Sequence, residues 1–130
     1  MVERITRAAM TALLEPYGLC EAVKYGATLT LSGQTGMNAA HAIVEGGLKA
    51  QALQAFRNIA EILALAGGAT PVHFTWYLAE TGNAFMPDAL DVTAARDAIF
   101  PGLVCGATAV RVKELLSPQI LVEIQTVAAL

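Results

Sequence analysis

The stretch LTLSGQTGMN, residues 29–38, carries the pattern that predicts the fold. Leu29 and Leu31 alternate with threonines, so this segment has one apolar and one polar face, as a half-buried β-strand does. The predicted strand ends on the hydroxyl of Ser32 and the small residue Gly33. A polar strand end beside glycine is either an ordinary turn or one wall of a small-molecule site.

The flanking sequence predicts a β-hairpin before this strand and a helix after it. The strand covers residues 27–32 and follows a turn at Tyr25-Gly26, while apolar residues at helical spacing predict a helix over residues 48–66 that ends at two glycines. Residues 1–16 are weakly patterned, with at most a short edge strand in VERIT. The remaining predicted elements are a strand from Pro71 through VHFTWYLAE, a helix from an N-cap at Asp88 to about Phe100, and strands over residues 105–113 and 120–128.

This order, β-β-β-α-β-α-β-β, predicts an α+β fold with two helices on one face of a sheet. Hydrophobic residues make up 55% of the 130-residue chain and charged residues only 15%. Typical domains carry about 25% charged residues, and a small monomer this apolar would expose large patches. We therefore expect a homo-oligomer that covers the other face of the sheet.

Composition also argues against several classes of function. The net charge is −3, the pI is about 5.2 and no basic cluster occurs, which disfavours nucleic-acid binding. The N-terminus lacks a long apolar run, so we expect neither a signal peptide nor a membrane span, and a cytoplasmic location. Cys20 and Cys105 are interpreted as reduced thiols. His41 and His73 are the only histidines, and without ligand spacing we expect no metal site.

Three motifs carry a family resemblance. They are SGQTG at residues 32–36, QALQAFRNIAEILALAGG at residues 51–68 and LVEIQTVA at residues 121–128. With them the chain resembles the RidA (YjgF) superfamily of reactive-intermediate deaminases over nearly its whole length. The resemblance implies one RidA-like domain over residues 1–130 with the chorismate-mutase-like fold. It also implies a homotrimer in which the sheets form a central barrel, the helices lie outside and ligand clefts lie between subunits.

The resemblance further implies hydrolysis of enamines and imines, such as 2-aminoacrylate and its imine, to keto acids and ammonia, with no metal or organic cofactor. Glu123 matches the glutamate that positions the attacking water, and Ser32 matches a serine that orients the substrate. Tyr17 and Gly33 match positions that contact the ligand. The same residues have structural interpretations: a turn serine at Ser32, an interface hydrogen bond at Glu123 and an interface aromatic at Tyr17.

The chain departs from the family pattern on its penultimate strand. Ala107 stands where the resemblance implies an arginine that binds the substrate carboxylate. One charged hydrogen bond contributes about 1.5–3 kcal/mol, so we expect imines of simple amino acids to be poor substrates. Arg111 shares the strand parity of Ala107 and is a candidate anion anchor or an intersubunit ion pair. Cys105 has the same parity and is a candidate nucleophile in the cleft or a small apolar side chain.

Three functions of different classes remain open at this point. The first is a deaminase for an enamine or imine other than 2-aminoacrylate, with Glu123 and Ser32 as catalytic residues. The second is a non-catalytic trimer that binds a small molecule or regulates. The third is ribonuclease or translation inhibition, which the acidic charge disfavours. The expected partners are further copies of the chain and a small-molecule ligand, with no nucleic acid and no membrane.

Overall fold

The computed structural model describes residues 1–130 and contains six β-strands and three α-helices, which confirms the predicted α+β class. The strands form one mixed sheet in the order β1-β2-β3-β6-β4-β5, and only β4 and β5 are parallel neighbours. In chain order the elements are β1 (Val2–Ile5), α1 (Ala8–Leu14), β2 (Ala22–Tyr25), β3 (Thr28–Thr35), α2 (Gly47–Leu65), β4 (Thr70–Ala79), α3 (Phe85–Ile99), β5 (Gly106–Val112) and β6 (Val122–Ala129).

Helix α2 supplies the central apolar stripe of the core. Its Phe56, Ile59 and Ile62 are fully buried, and they recur at helical spacing as the sequence predicts. The ring of Phe56 meets that of Phe74 on β4 edge to face, with 5.3 Å between centroids. Each such side chain contributes about 1.5–3 kcal/mol on burial, so the packing of α2 on the sheet is a main source of stability.

Helices α2 and α3 contribute to the core on one face of the sheet, and the second face carries neither of them. Glu123 lies opposite Tyr77, and Gln125 lies opposite Thr75, on this uncovered face. Ile124, between the two polar residues of β6, is fully buried on the helix side. Glu123 and Gln125 therefore share a face because side chains alternate strictly along a strand.

Two details of the predicted helices are wrong. A third helix, α1, occupies part of the segment that the sequence left unassigned, so the fold has three helices rather than two. Asp88 is not the N-cap of α3, because the helix begins at Phe85 with Ala84 at the cap. No helix of the structure has both the length and the apolar character needed to cross a bilayer.

Asp88 instead anchors the start of α3 to the edge strand β5. Its carboxylate accepts hydrogen bonds from Thr81 at 2.6 Å and from Arg111 at 2.9 Å, and its side chain is only 3% exposed. Burial by itself raises the pKa of Asp88, but the hydrogen bonds from Thr81, Arg111 and Asn83 and the charge of Arg111 outweigh it, and the pKa is lowered. The ion pair of Arg111 thus lies within one chain.

We expect Arg111→Met to destabilise the fold by about 2–4 kcal/mol, because it leaves the buried carboxylate of Asp88 without its cation. Since the pKa of Asp88 is lowered, its stabilisation is complete above its ordinary pKa of about 3.9 and disappears as the pH falls through the lowered value. Urea denaturation at several pH values should show the difference between the variant and the parent shrinking below about pH 4. Arg96→Met is the matched control, because the partner of Arg96, Asp97, is 54% exposed. An equal loss in both variants would contradict this role for Arg111.

Candidate functional site

A β-bulge in β3 forms the centre of the site. Leu31 pairs with Thr126 and Gln34 with Ile124, so two residues of β3, Ser32 and Gly33, stand opposite a single residue of β6. After the bulge β3 pairs with β6 again and continues to Thr35, which lies opposite Glu123, beyond the predicted strand end. A bulge bends its strand and redirects the side chains beside it.

Ser32 is fixed by two hydrogen bonds to the segment that precedes β2. Its backbone N–H donates to the carbonyl of Glu21 at 2.8 Å, and its hydroxyl donates to the carbonyl of Cys20 at 2.8 Å. Because the hydroxyl proton is already donated, only the lone pairs of this oxygen remain free. Ser32 can therefore accept, but not donate, a hydrogen bond from a ligand.

Gly33 and Glu123 approach each other so closely that a side chain at position 33 would displace the Glu123 carboxylate. A Cβ atom at Gly33 would lie 2.6 Å from Oε1 and 2.8 Å from Cγ of Glu123. This contact explains why a glycine stands at position 33, because the Glu123 side chain occupies the space that another side chain would fill. The absence of a Cβ thereby sets the position of the Glu123 carboxylate over the bulge.

Ser32, Gly33 and Glu123 line a common cavity of about 390 Å³. The cavity lies between α1, the bulge of β3 and the start of β6. Its apolar wall consists of Met10, Leu13 and Leu14 of α1 together with Leu19, Met37, Leu116 and Ile120. A pocket of this size with apolar walls and a few converging polar groups fits a small organic molecule.

Glu123 is the carboxylate in this cavity with no hydrogen bond or ion pair to another residue of the chain. Burial raises its pKa above the ordinary glutamate value, because the partly desolvated pocket disfavours the charged form. A carboxylate with a raised pKa is a stronger base than an ordinary glutamate, and this suits it to take and return a proton. The arrangement therefore offers a candidate general base beside a hydrogen-bond acceptor.

Arg7 forms the polar wall with an extensive set of contacts. Its Nε donates to Glu21 Oε1 at 2.9 Å and its Nη2 to Glu21 Oε2 at 2.7 Å, which is a bidentate ion pair. Its Nη1 donates to Asn58 Oδ1 at 3.1 Å and to Glu61 Oε2 at 2.8 Å. Burial lowers the pKa of Arg7, but the hydrogen bonds to Glu21 and Glu61 raise it by more. The pKa therefore lies above its ordinary value, and Arg7 stays charged.

The loop between β3 and α2 holds α1 in place over the cavity. His41 Nε2 lies 2.7 Å from the carbonyl of Ala9 in α1, and His41 has a positive φ of 64°. The Asn38 side chain accepts hydrogen bonds from the N–H groups of Ala40 and Ala42 and so supports this turn. The apolar wall that α1 supplies is thus attached to the rest of the chain at a defined point.

The other predicted site residues lie outside this cavity. Tyr17 is 77% exposed in the turn Glu15–Tyr17. Cys105, Ala107 and Arg111 belong to β5 or its start, at the edge of the sheet away from β3. Ala107 pairs with Phe74, and Cys105 packs against the core, so this side of β5 is the helix side. Within one chain these residues do not meet Glu123 and Ser32.

Several cavity residues were missed in the sequence, although three of them left a signal. Met10, Leu13 and Leu14 recur at spacings of three and four residues, which is the signature of a helix face. Arg7 and Glu21 left no signal, because a lone arginine and a lone glutamate far apart in sequence resemble ordinary surface charges. No group of three or more His, Cys, Asp or Glu side chains in the structure could hold a metal ion.

Comparison with known proteins gives the following matches. The protein-family model described as Endoribonuclease L-PSP matches residues 9–130. Among solved structures, RidA from the Antarctic bacterium Psychrobacter sp. is 30% identical, with 86% of this chain and 88% of RidA covered and a TM-score of 0.76. No curated protein sequence matches the chain.

Two further solved structures are similar over their full length. YyfA from Yersinia pestis, described as a protein of unknown function of the conserved Rid family, is 22% identical, with 100% of both chains covered and a TM-score of 0.85. Rv2704 from Mycobacterium tuberculosis, a member of the YjgF/YER057c/UK114 family, is 21% identical, with 100% of both chains covered and a TM-score of 0.79. At these identities the likeness is one of fold.

We expect Arg7→Met to destabilise the protein by about 3–5 kcal/mol, because Glu21 then carries an uncompensated buried charge. The Glu21 side chain is 1% exposed, whereas that of Glu61 is 63% exposed. The control Glu61→Gln should therefore cost less than about 1 kcal/mol. Urea denaturation midpoints measure both, and adding Glu21→Gln to Arg7→Met should recover part of the loss. Similar costs for the Arg7 and Glu61 single variants would contradict the assignment.

Proposed function

Because the chain belongs to the Endoribonuclease L-PSP family, that of the YjgF and RidA proteins, we propose that it is a hydrolase that deaminates an enamine or imine without a cofactor. One observation carries the proposal: Glu123, with its raised pKa, and Ser32 line one largely apolar cavity. The family membership was predicted from the sequence motifs and is confirmed, whereas the activity is our proposal for this chain.

In the proposed mechanism Glu123 holds and activates a water molecule. The water oxygen bonds to the carbon of the protonated imine, one of the water protons passes to Glu123, and the electrons of the C=N bond move to nitrogen, which becomes a neutral amine. Glu123 then returns this proton to the amine. The C–N bond of the carbinolamine breaks, ammonia leaves, and the hydroxyl becomes a carbonyl as its proton passes to Glu123. Ser32 accepts a hydrogen bond from the substrate nitrogen or the water and so fixes its orientation.

The proposal includes assembly as a homotrimer with self-contacts at the cavity. Leu19 is 57% and Leu116 95% exposed although both line the cavity, so an apolar rim remains open in one chain. Tyr17 is a further exposed apolar side chain. A second copy that covered this rim would complete the cavity. In such an assembly, Cys105 and Ala107 of the second copy would contribute to substrate binding.

A non-catalytic ligand-binding trimer is the second candidate function. The observation that favours it is Ala107 in place of the arginine that the family resemblance implies, because a member of the family can lose its catalytic activity and still bind a ligand in the same cavity.

We also propose a cytoplasmic location, which the free thiols of Cys20 and Cys105 support. We do not propose ribonuclease activity, because the cavity exposes no free basic group to a phosphate backbone.

Sedimentation equilibrium should give three times the chain mass of 13.6 kDa. The physical reason is the uncovered sheet face together with the apolar rim, which a closed trimer would remove from water. Leu116→Glu should weaken assembly by placing a charge in the contact, and Glu45→Gln, on an exposed loop, is the control. A stable monomer at micromolar concentration would contradict the trimer.

We expect Glu123→Gln to lower kcat for ammonia release by roughly a hundredfold or more, because glutamine cannot take the proton of the water. Ammonia is measured over a panel of freshly generated imines. Ser32→Ala should act mainly on KM, since it removes an acceptor that touches the ligand.

The control for Glu123→Gln is its stability. Because the pKa of Glu123 is raised in the folded state, ionisation of this residue costs stability as the pH rises from about 4.3 to the raised value. The variant should therefore melt no lower than the parent at neutral pH, and its relative stability should improve from acid to neutral pH. A lost activity with an equally lost fold, or an unchanged kcat, would contradict the catalytic assignment.

A further inference from the structure

The charged side chains that line the cavity are Arg7, Glu21 and Glu123. Arg7 is the only cation among them. Its contacts to Glu21, Asn58 and Glu61, with a long one of 3.5 Å to Gln34, use all five N–H donors of the guanidinium. A ligand carboxylate therefore finds no free donor on Arg7.

Displacing one of these contacts would be unfavourable. The bidentate partner, Glu21, is buried, so a ligand that took its place would leave a carboxylate without a cation in a desolvated environment. Glu61 is the exposed partner, but a ligand carboxylate bound in its place would still lie beside the charge of Glu21. Arg7 is thus an internal structural ion, and it does not serve as an anion anchor.

The charge that remains in the cavity is negative. Glu123 has no ion-pair partner in the chain, and its carboxylate shares the cavity with apolar side chains such as Met10, Leu14 and Ile120. A second copy does not supply a free cation from β5, since its Arg111 would be occupied by its own Asp88 at 2.9 Å. The site therefore offers an apolar wall and an uncompensated carboxylate.

We propose that this cavity selects cationic ligands with an apolar body, such as the iminium form of an alkyl imine, and disfavours ligands that carry a carboxylate. Glu123 is the counter-ion of the ligand nitrogen. The inference rests on the proposed function in that it names the substrate class of the same site. A carboxylate ligand would face Glu123 and Glu21 with no cation to offset the repulsion.

Binding of three probes of equal length tests the inference without any turnover. Hexylamine is cationic, hexanol neutral and hexanoate anionic at neutral pH. Methyl-labelled methionine NMR reports where each binds, since Met10 and Met37 line the cavity, whereas Met1 and Met86 are exposed and serve as internal controls. Titrations give a dissociation constant for each probe.

We expect shifts at Met10 and Met37 only, with hexylamine binding about tenfold or more tightly than hexanol, the scale of one charge-assisted hydrogen bond. Hexanoate should bind more weakly than hexanol. In Glu123→Gln the preference for hexylamine over hexanol should disappear, and in the control Glu45→Gln it should persist. Hexanoate binding as tightly as hexylamine, or no probe shifting Met10 or Met37 at millimolar concentration, would overturn the inference.

Turnover separates this inference from the proposed function. If the charge order holds but no imine releases ammonia, the selection of cations stands and the deaminase does not. If carboxylate-bearing imines are hydrolysed best and hexanoate binds most tightly, the deaminase stands and the charge selection is wrong. The two proposals therefore fail on different measurements.

Discussion

The buried ion pair between Arg7 and Glu21 is the interaction on which this end of the molecule depends. Glu21 begins the segment that leads into β2, and Arg7 sits between β1 and α1, so the pair joins the edge of the sheet to the first helix. Through Asn58 and Glu61 the same guanidinium reaches α2. A buried carboxylate is tolerated only with such a partner, and the position of α1 over the cavity follows from satisfying it.

The bulge of β3 lies beside this ion pair and places Ser32 and Gly33 at the cavity. At the bulge, Ser32 donates hydrogen bonds to the backbone carbonyls of Cys20 and Glu21, and the side chain of Glu21 is held by Arg7. The bulge also brings Gly33 against Glu123. The two carboxylates near the cavity thereby receive opposite environments. Glu21 is neutralised by a bidentate arginine, whereas Glu123 is partly buried with no cation, and a difference of this kind separates a structural group from a reactive one.

The second buried pair, Arg111 with Asp88, does similar work at the other edge of the sheet. It attaches the first turn of α3 to β5 and uses Arg111, which lies four residues after Ala107 on the same strand. Both arginines that could have served an anionic ligand are thus occupied by internal carboxylates. The unpaired charge at the cavity and the apolar rim at Leu116 remain available for recognition, and the proposed trimer would cover the open face of the sheet.

The sequence by itself determined the α+β class, the stripe of α2, the hairpin and the alternation that places Glu123 and Gln125 on one face, because these depend on local periodicity. Its motifs also determined the family. Only the tertiary structure decided the position of helix α1 over the cavity, the pairing of Arg7 with Glu21 and the pairing of Arg111 with Asp88. Such pairs join residues far apart in the chain, and no local pattern distinguishes an arginine that will be buried against a carboxylate from one that will face water.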